Sequence, residues 1–480
     1  MLITPTLQLS ELLNSIDLPV DWVGLRKVRE VRISRSARDG MPQNNSKAIS
    51  EGVMVEVLIG GQIGYGATNV ITPTGIQIAA TAAYEQAIAA AEYRSHTVTT
   101  AQRPQVVGQY VSQIVQPIDS LTTGEIGDRL SKICHALKVS DKIVQTTASL
   151  STREVETWFV SSNGSDVYQK FLLMTTDYAA TAQDGATIQR RCDRGGLARC
   201  YQGGMEHFLT ADLWARVQQV GEQALELLTA IECPAETTTL VLAPDQLLLQ
   251  IHESIGHPLE LDRILGDERN YAGGSFVKPT DFGNLVYGSP LMNVTFDPTV
   301  AGEAASYNFD DIGATATKEY LIRDGILERG LGSLESQSRS GLPGVACSRA
   351  CSWNRPPIDR MANINLEPGS QSFAEIIGGI ERGIYMESNR SWSIDDRRHK
   401  FQFSCEYAKL IEDGKLTKTV RNPNYRGITP QFWGNLVAVG NADTWEMYGS
   451  PICGKGEPNQ LVSVGHGAPV AAFTDIEIFN

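Results

Sequence analysis

"TTLVLAPDQLLLQIHESIGH", residues 238–257, reads as a short apolar strand, a turn at Pro244 and a helix. Leu248, Ile251 and Ile255 fall at i, i+3 and i+7, an apolar stripe that anchors the helix to a core, and His252 lies next to that stripe. The helix ends in His252-Glu253-Ser254-Ile255-Gly256-His257. Zinc-binding helices commonly carry His-Glu-x-x-His, whose histidines four residues apart share one face. Here the separation is five, which on a regular helix puts the imidazoles roughly 140° apart. Gly256 precedes the second histidine and Pro258 follows it. The helix is therefore expected to widen into a π-type turn, or to release His257 at its end, so that both rings reach one ion.

Two histidines do not make a catalytic zinc site, which needs three protein ligands and an open position. By residue type the third ligand is Glu260, His399, Cys405, Cys453 or His466. Cys453, in "GSPICGKGEP", sits in a glycine-rich loop where backbone can approach a metal and a thiolate stays accessible. Glu253, beside a ligating histidine, has the place of a general base toward a metal-activated water.

Upstream of this stretch, helices and strands alternate. "GVMVEVLIGGQIGYGAT" (52–68) alternates Val53, Val55, Val57 and Ile59 around a Gly60-Gly61 turn and predicts a β-hairpin. Its glycines lack a full dinucleotide-binding fingerprint. Thr72-Pro73 caps an alanine-rich helix, and residues 97–120 read as extended and proline-bearing. Residues 122–139 and 209–231 are amphipathic helices, the second with Thr210 as N-cap. Two strands fall near 154–162 and 167–177, before the glycine-rich "RGGLARCYQGG". Downstream, short strands predominate. Arg323-Asp324-Gly325 and Glu412-Asp413-Gly414 mark tight hairpins, and "SFAEIIGGIERGIYM" (372–386) predicts one more helix.

The 480 residues suit two to three domains, and 42% apolar with 20% charged residues describes a globular chain. The net charge of −14, with no basic block, argues against a nucleic-acid partner. The opening "MLITPTLQLSELL" lacks a signal peptide's basic and apolar regions, and no window is long enough to span a membrane, so a cytoplasmic protein is expected. Eight cysteines are too sparse for a disulfide framework. Cys347 and Cys351 have no second pair at zinc-finger spacing and read as core or surface thiols, while His96, His135 and His207 are isolated.

"LLLQIHESIGHPLELD", "FDDIGATATKEYLIRDGIL", "PPIDRMANINLEPGS", "EIIGGIERGIYM" and "SPICGKG" occur in this order, and in this respect the chain resembles the TldD/PmbA family of metalloproteases over most of 237–480. The likeness is fainter at the 52–68 hairpin and the helix after it. It implies an α+β fold of two domains, mixed α/β over 1–234 and mainly antiparallel β over 235–480, the latter carrying the metal-site helix. It implies zinc held by His252, His257 and Cys453, one ion per active subunit, with Glu253 as catalytic base. It also implies a homodimer, or a heterodimer with a related subunit that lacks the metal motif, acting on unfolded or short peptides that add as a strand to a sheet edge. His466, in the tail, is assigned to no family residue, and its role is left open between oxyanion stabilisation and a packed or solvated histidine. The expectation is thus a cytoplasmic zinc metallopeptidase. Its alternatives are a non-cleaving, metal-stabilised peptide-binding subunit and a metal-dependent amide hydrolase with a non-peptide substrate.

Overall fold

The computed structural model describes residues 4–196, 198–268 and 273–480. The fold is α+β, and its N-terminal half is organised by one long twisted sheet. Strands Trp22–Arg38, Met41–Ile59 and Gln62–Thr68 run antiparallel, followed on the other side by Ile143–Ser161 and Asp166–Asp184. The Gly60-Gly61 hairpin forms as expected, with φ of +54° and +82°. Helix Pro73–Ala90 is capped by Thr72, whose side chain accepts from the Gly75 amide, and it buries Ile76, Ala79, Ala80, Ala83 and Ala87 against the sheet. Helix Thr123–Leu137 buries the expected stripe of Ile126, Leu130, Ile133, Cys134 and Leu137.

Three expectations are corrected. The strands expected near 154–162 and 167–177 are parts of two nineteen-residue strands, and the strand at 22–38 gives no clear alternation because polar residues line its outer half. The helix expected from 209 runs Leu213–Thr229, and Thr210 does not cap it, since its hydroxyl instead accepts from Arg216. The helix expected over 372–386 spans only Phe373–Gly378. The glycine pair 378–379 ends it, and Arg382–Ile394 is a strand paired to two neighbours, so sheet contacts override local helical spacing.

The C-terminal half closes a five-stranded barrel. Arg382–Ile394 pairs in parallel with Glu236–Leu242, which pairs with Ala471–Phe479, then Asn424–Ile428, then Lys400–Glu412, which returns to Arg382–Ile394. Both Asp-Gly hairpins form, with Asp324 and Asp413 at φ +49°. Helix Pro244–Ile251 leaves the barrel strand Glu236–Leu242 with all eight of its residues buried. It packs against Arg382–Ile394 on one side and against the hairpin Glu446–Lys455 and Gln460–Ala468 on the other.

That hairpin joins the long N-terminal sheet through a parallel contact at Gly449 and Arg199, where the Gly449 amide donates to the Ala198 carbonyl at 3.0 Å. A Cβ at Gly449 would lie 2.5 Å from the Cys200 carbonyl oxygen, so only glycine lets the two halves approach this closely. The metal-motif helix is thereby clamped between the barrel and an extension of the first sheet. No helix among the described residues is long and apolar enough to cross a membrane.

Candidate metal centre

The α-helix becomes a π-helical turn over His252–Gly256 and a 3₁₀ turn over His257–Leu259. The wider turn absorbs the extra residue, and the two imidazoles meet edge to face with ring centroids 4.7 Å apart. A π turn disturbs the backbone hydrogen-bond ladder, and two buried side chains brace it at Ser254, one through its carbonyl and one through its hydroxyl. Tyr287 donates its hydroxyl to the Ser254 carbonyl at 2.5 Å, and the Trp433 indole donates to the Ser254 hydroxyl at 2.8 Å. Gly256 is needed because a Cβ there would fall 2.1 Å from Met361 Sδ.

Cys453 reaches the same point from strand Glu446–Lys455. Ser450 pairs with Val464 and Cys453 with Val462, so one extra residue is accommodated around Pro451-Ile452. Such a bulge re-aims the following side chain, and proline within a strand is tolerated there. One ligand-type atom each from His252, His257 and Cys453 then lies within 4.8 Å of the others, all three residues buried.

Neighbouring groups fix the state of each. His466 Nδ1 faces the Ile364 carbonyl at 3.1 Å and must carry the proton. Its Nε2 is therefore an acceptor for His252 Nδ1–H at 2.9 Å, which leaves His252 Nε2 with a free lone pair. His257 Nδ1 donates to Glu260 Oε2 at 2.9 Å, leaving its Nε2, 3.7 Å from Cys453 Sγ, likewise free. Burial lowers the pKa of all three imidazoles and keeps them neutral. Burial alone would push the Cys453 thiol up, but the Arg360 guanidinium, 3.0 Å from Sγ, is the leading influence that brings it down to about 7. Glu260 is fully buried; burial opposes its charge, yet Lys455, His257 and Arg263 outweigh that and hold it well below the usual carboxylate range.

Glu253 follows His252 on the π turn. Burial raises its pKa, and the Arg398 guanidinium, in direct contact with Oε2, more than reverses this, so the carboxylate is ionised. Arg398 stands at φ +58° at the end of the turn that precedes strand Lys400–Glu412. His252 and Glu253 open onto a cavity of about 110 Å³ rimmed by Trp392 and Ile452.

The residues singled out from the sequence separate clearly. His252, Glu253, His257 and Cys453 converge. Glu260 and His466, each considered as a third ligand by type, instead hydrogen-bond the two histidines from behind. His399 packs on Phe276, and Cys405 lies in the barrel core. Cys347 and Cys351 join no metal-type cluster among the described residues. Arg360 and Arg398 were missed, although "PPIDRM" carries the first, because an arginine becomes informative only once its buried anion is known.

The donor set of two neutral imidazoles and a low-pKa thiol, each oriented by a buried partner, suits a borderline-soft divalent ion. Comparison with known proteins points the same way. Models of PmbA/TldA metallopeptidase domains match residues 24–91 (domain 1), 116–230 (central domain) and 235–478 (C-terminal domain). The chain belongs to the PmbA/TldD metallopeptidase family. It is 28% identical to a metalloprotease of Methanothermobacter thermautotrophicus over 96% of both chains. It is 26% identical to a metalloprotease TldD homolog of Haemophilus influenzae, over 99% of this chain and 98% of that one. The crystal structure of TldE from Thermococcus kodakarensis shares the fold with a TM-score of 0.72 at 14% identity, over 98% of this chain and all (100%) of the other.

Proposed function

We propose that this protein is a zinc-dependent metallopeptidase that hydrolyses unfolded or extended peptides, with His252, His257 and Cys453 as metal ligands and Glu253 as the catalytic base. The observation that carries this is the π turn, which brings both histidines to Cys453 and sets an ionised carboxylate beside them. The mixed nitrogen and sulfur donor set supports zinc as the ion. A zinc ion held there would supply Lewis acidity toward a peptide carbonyl and the water that attacks it.

The chain's own residues do the rest. His466 and Glu260 hold the imidazoles in the tautomer that offers Nε2, and Arg360 stabilises the thiolate. Glu253 has Oε2 engaged by Arg398, so Oε1 is the atom that accepts a proton from the attacking water and later returns it to the leaving amine. Strand Glu446–Lys455 pairs with the first sheet only at Gly449, so beyond it one edge has no strand partner among the described residues. An extended peptide added along that edge would lie beside Cys453, held through its backbone with little demand on sequence.

The proposal includes a dimer, of two copies or with a related subunit lacking the metal motif. Residues 41–50 support it: they are exposed throughout, and over these residues the outer edge of their strand has no strand partner among the described residues, the pairing with Gln62–Thr68 starting only at Val53.

Zinc content and peptide hydrolysis of wild type, Glu253→Gln and Cys453→Ala test the reading. Wild type and Glu253→Gln should each hold about one zinc per chain, with hydrolysis reduced at least about 100-fold in the variant. Cys453→Ala should lose both. Wild type that binds zinc and peptides but cuts none would establish the non-cleaving alternative, and hydrolysis of simple amides but not of peptides would establish the other.

A further inference from the structure

The cavity beside Glu253 contains a buried acceptor that the proposed chemistry leaves unused. Asp245, Leu248, Leu249 and His252 fall at i, i+3, i+4 and i+7 along the motif helix and its continuation, so they share one face, and all four line this cavity. Asp245 is 2% exposed. Its Oδ2 accepts from the Ser388 hydroxyl at 2.6 Å, whereas Oδ1 is buried with no hydrogen-bond partner. The Asn389 side-chain oxygen, also in the cavity wall, is buried and unpartnered too. Ser388 stands at φ +64° just before a bulge in strand Arg382–Ile394, a strained backbone that positions the hydroxyl on Asp245.

The other charges lining the cavity are matched. Arg194 is 3.5 Å from Glu387, and Glu253 is paired with Arg398. Asp245 has no cation within ion-pair distance among the described residues, although Arg191 and Arg194 contribute to the surrounding field. A buried carboxylate oxygen without a donor has lost its hydration with nothing in exchange, so a position of this kind calls for a partner in the working state. Leu248, Leu249, Ile452 and Trp392 supply apolar walls between that oxygen and the solvent.

We infer that this cavity is a specificity subsite for a cationic group of the peptide, with Asp245 Oδ1 and the Asn389 amide oxygen accepting its N–H donors. The inference rests on the peptidase reading above. Seven helical residues separate Asp245 from His252, about 10 Å along the axis. The backbone next to the scissile bond covers part of that span and a lysine or arginine side chain the rest, its methylenes against the leucines and its charge on Asp245.

The test is a set of N-acetylated peptides identical except for lysine, arginine, norleucine or glutamate at each position flanking the scissile bond, with a free-amine norleucine peptide as control. Wild type should cleave the lysine or arginine peptide at least tenfold faster, as kcat/KM, than the acetylated norleucine peptide at one flanking position. The ratio should fall to about one in Asp245→Asn, and Asp245→Lys should favour glutamate. A merely structural role for Asp245 would lower all rates and leave the ratio unchanged. Equal use of lysine and norleucine by wild type overturns the subsite. A gain confined to the free-amine norleucine peptide overturns the side-chain assignment and gives the subsite to a peptide amino terminus. If no peptide is cut, dissociation constants of the same peptides with zinc-loaded Glu253→Gln give the same ratio, so failure of the peptidase reading is distinguished from failure of the subsite.

Discussion

His466 shows how much of this site lies behind the residues that would bind the ion. It is fully buried, and its ring ties the Ile364 carbonyl to His252 Nδ1. With both nitrogens engaged, it orients His252, a proposed ligand, and has no donor left for an oxyanion. Replacing it by leucine keeps an apolar fill but lets His252 change tautomer and swing. We expect His466→Leu to fold with unchanged circular dichroism and to lose about 10–100-fold in zinc affinity, measured by competition with a chromophoric chelator. Unaltered affinity would mean that His466 only packs. His252, Glu253, His257 and Cys453 were legible as residues because their types announce metal and proton chemistry. The assignments of Glu260 and His466 were not, since a histidine or glutamate that binds a metal and one that supports it look alike in sequence.

The π turn is the element on which the centre depends. Its sequence cause, one residue more than a regular helix accommodates beside a Gly-His-Pro break, was readable in advance. What stabilises it was not: Tyr287 and Trp433 come from distant segments to satisfy Ser254. Gly256→Ala should expose this dependence. The added methyl meets Met361 Sδ, and although methionine is adaptable, Met361 is itself fully buried. Overpacking of this kind costs about 1–3 kcal/mol. A lower melting temperature and weaker zinc binding should appear together, because the methyl strains the turn that sets both histidines. A lower melting temperature with full zinc affinity would show that Met361 yields and the turn does not. The shortened helix at 373–378 teaches the converse, since there a locally helical stretch gives way to strand pairing that spacing alone cannot reveal.

Across the whole molecule, groups of the N-terminal half bond to the barrel and its flanking strand Lys415–Arg421. Arg191 pairs with Glu387 at 3.0 Å, the Cys192 amide donates to Glu406 at 2.7 Å, and Glu226 on helix Leu213–Thr229 accepts from Tyr407 at 2.7 Å and from Thr419. Burial would raise the Glu226 pKa, but the Thr419 and Tyr407 hydroxyls and Lys409 outweigh it and leave the value lowered. A lowered folded-state pKa means that this contact stabilises fully above the unfolded glutamate value of about 4.3 and fades as pH falls through the folded value. Wild type should therefore melt higher than Glu226→Gln at pH 7, with the gap closing below about pH 4 in a series of thermal melts. A gap independent of pH would assign the effect to packing. Hydrophobic periodicity, the Gly-Gly and Asp-Gly turns and the His-Glu-x-x-x-His spacing needed only neighbouring residues to be read, so the sequence by itself determined the helices over 73–90, 123–137, 213–229 and 244–251, the hairpins at 60–61, 324–325 and 413–414 and the chemical character of the site, while its resemblance to a family supplied the α+β class. Closure of the barrel, the contact at Gly449 that carries Cys453 to the histidines, and the placing of Asp245 against Ser388 with its Oδ1 unpartnered among the described residues were decided by tertiary structure, because each joins segments whose separation in the chain leaves no local pattern.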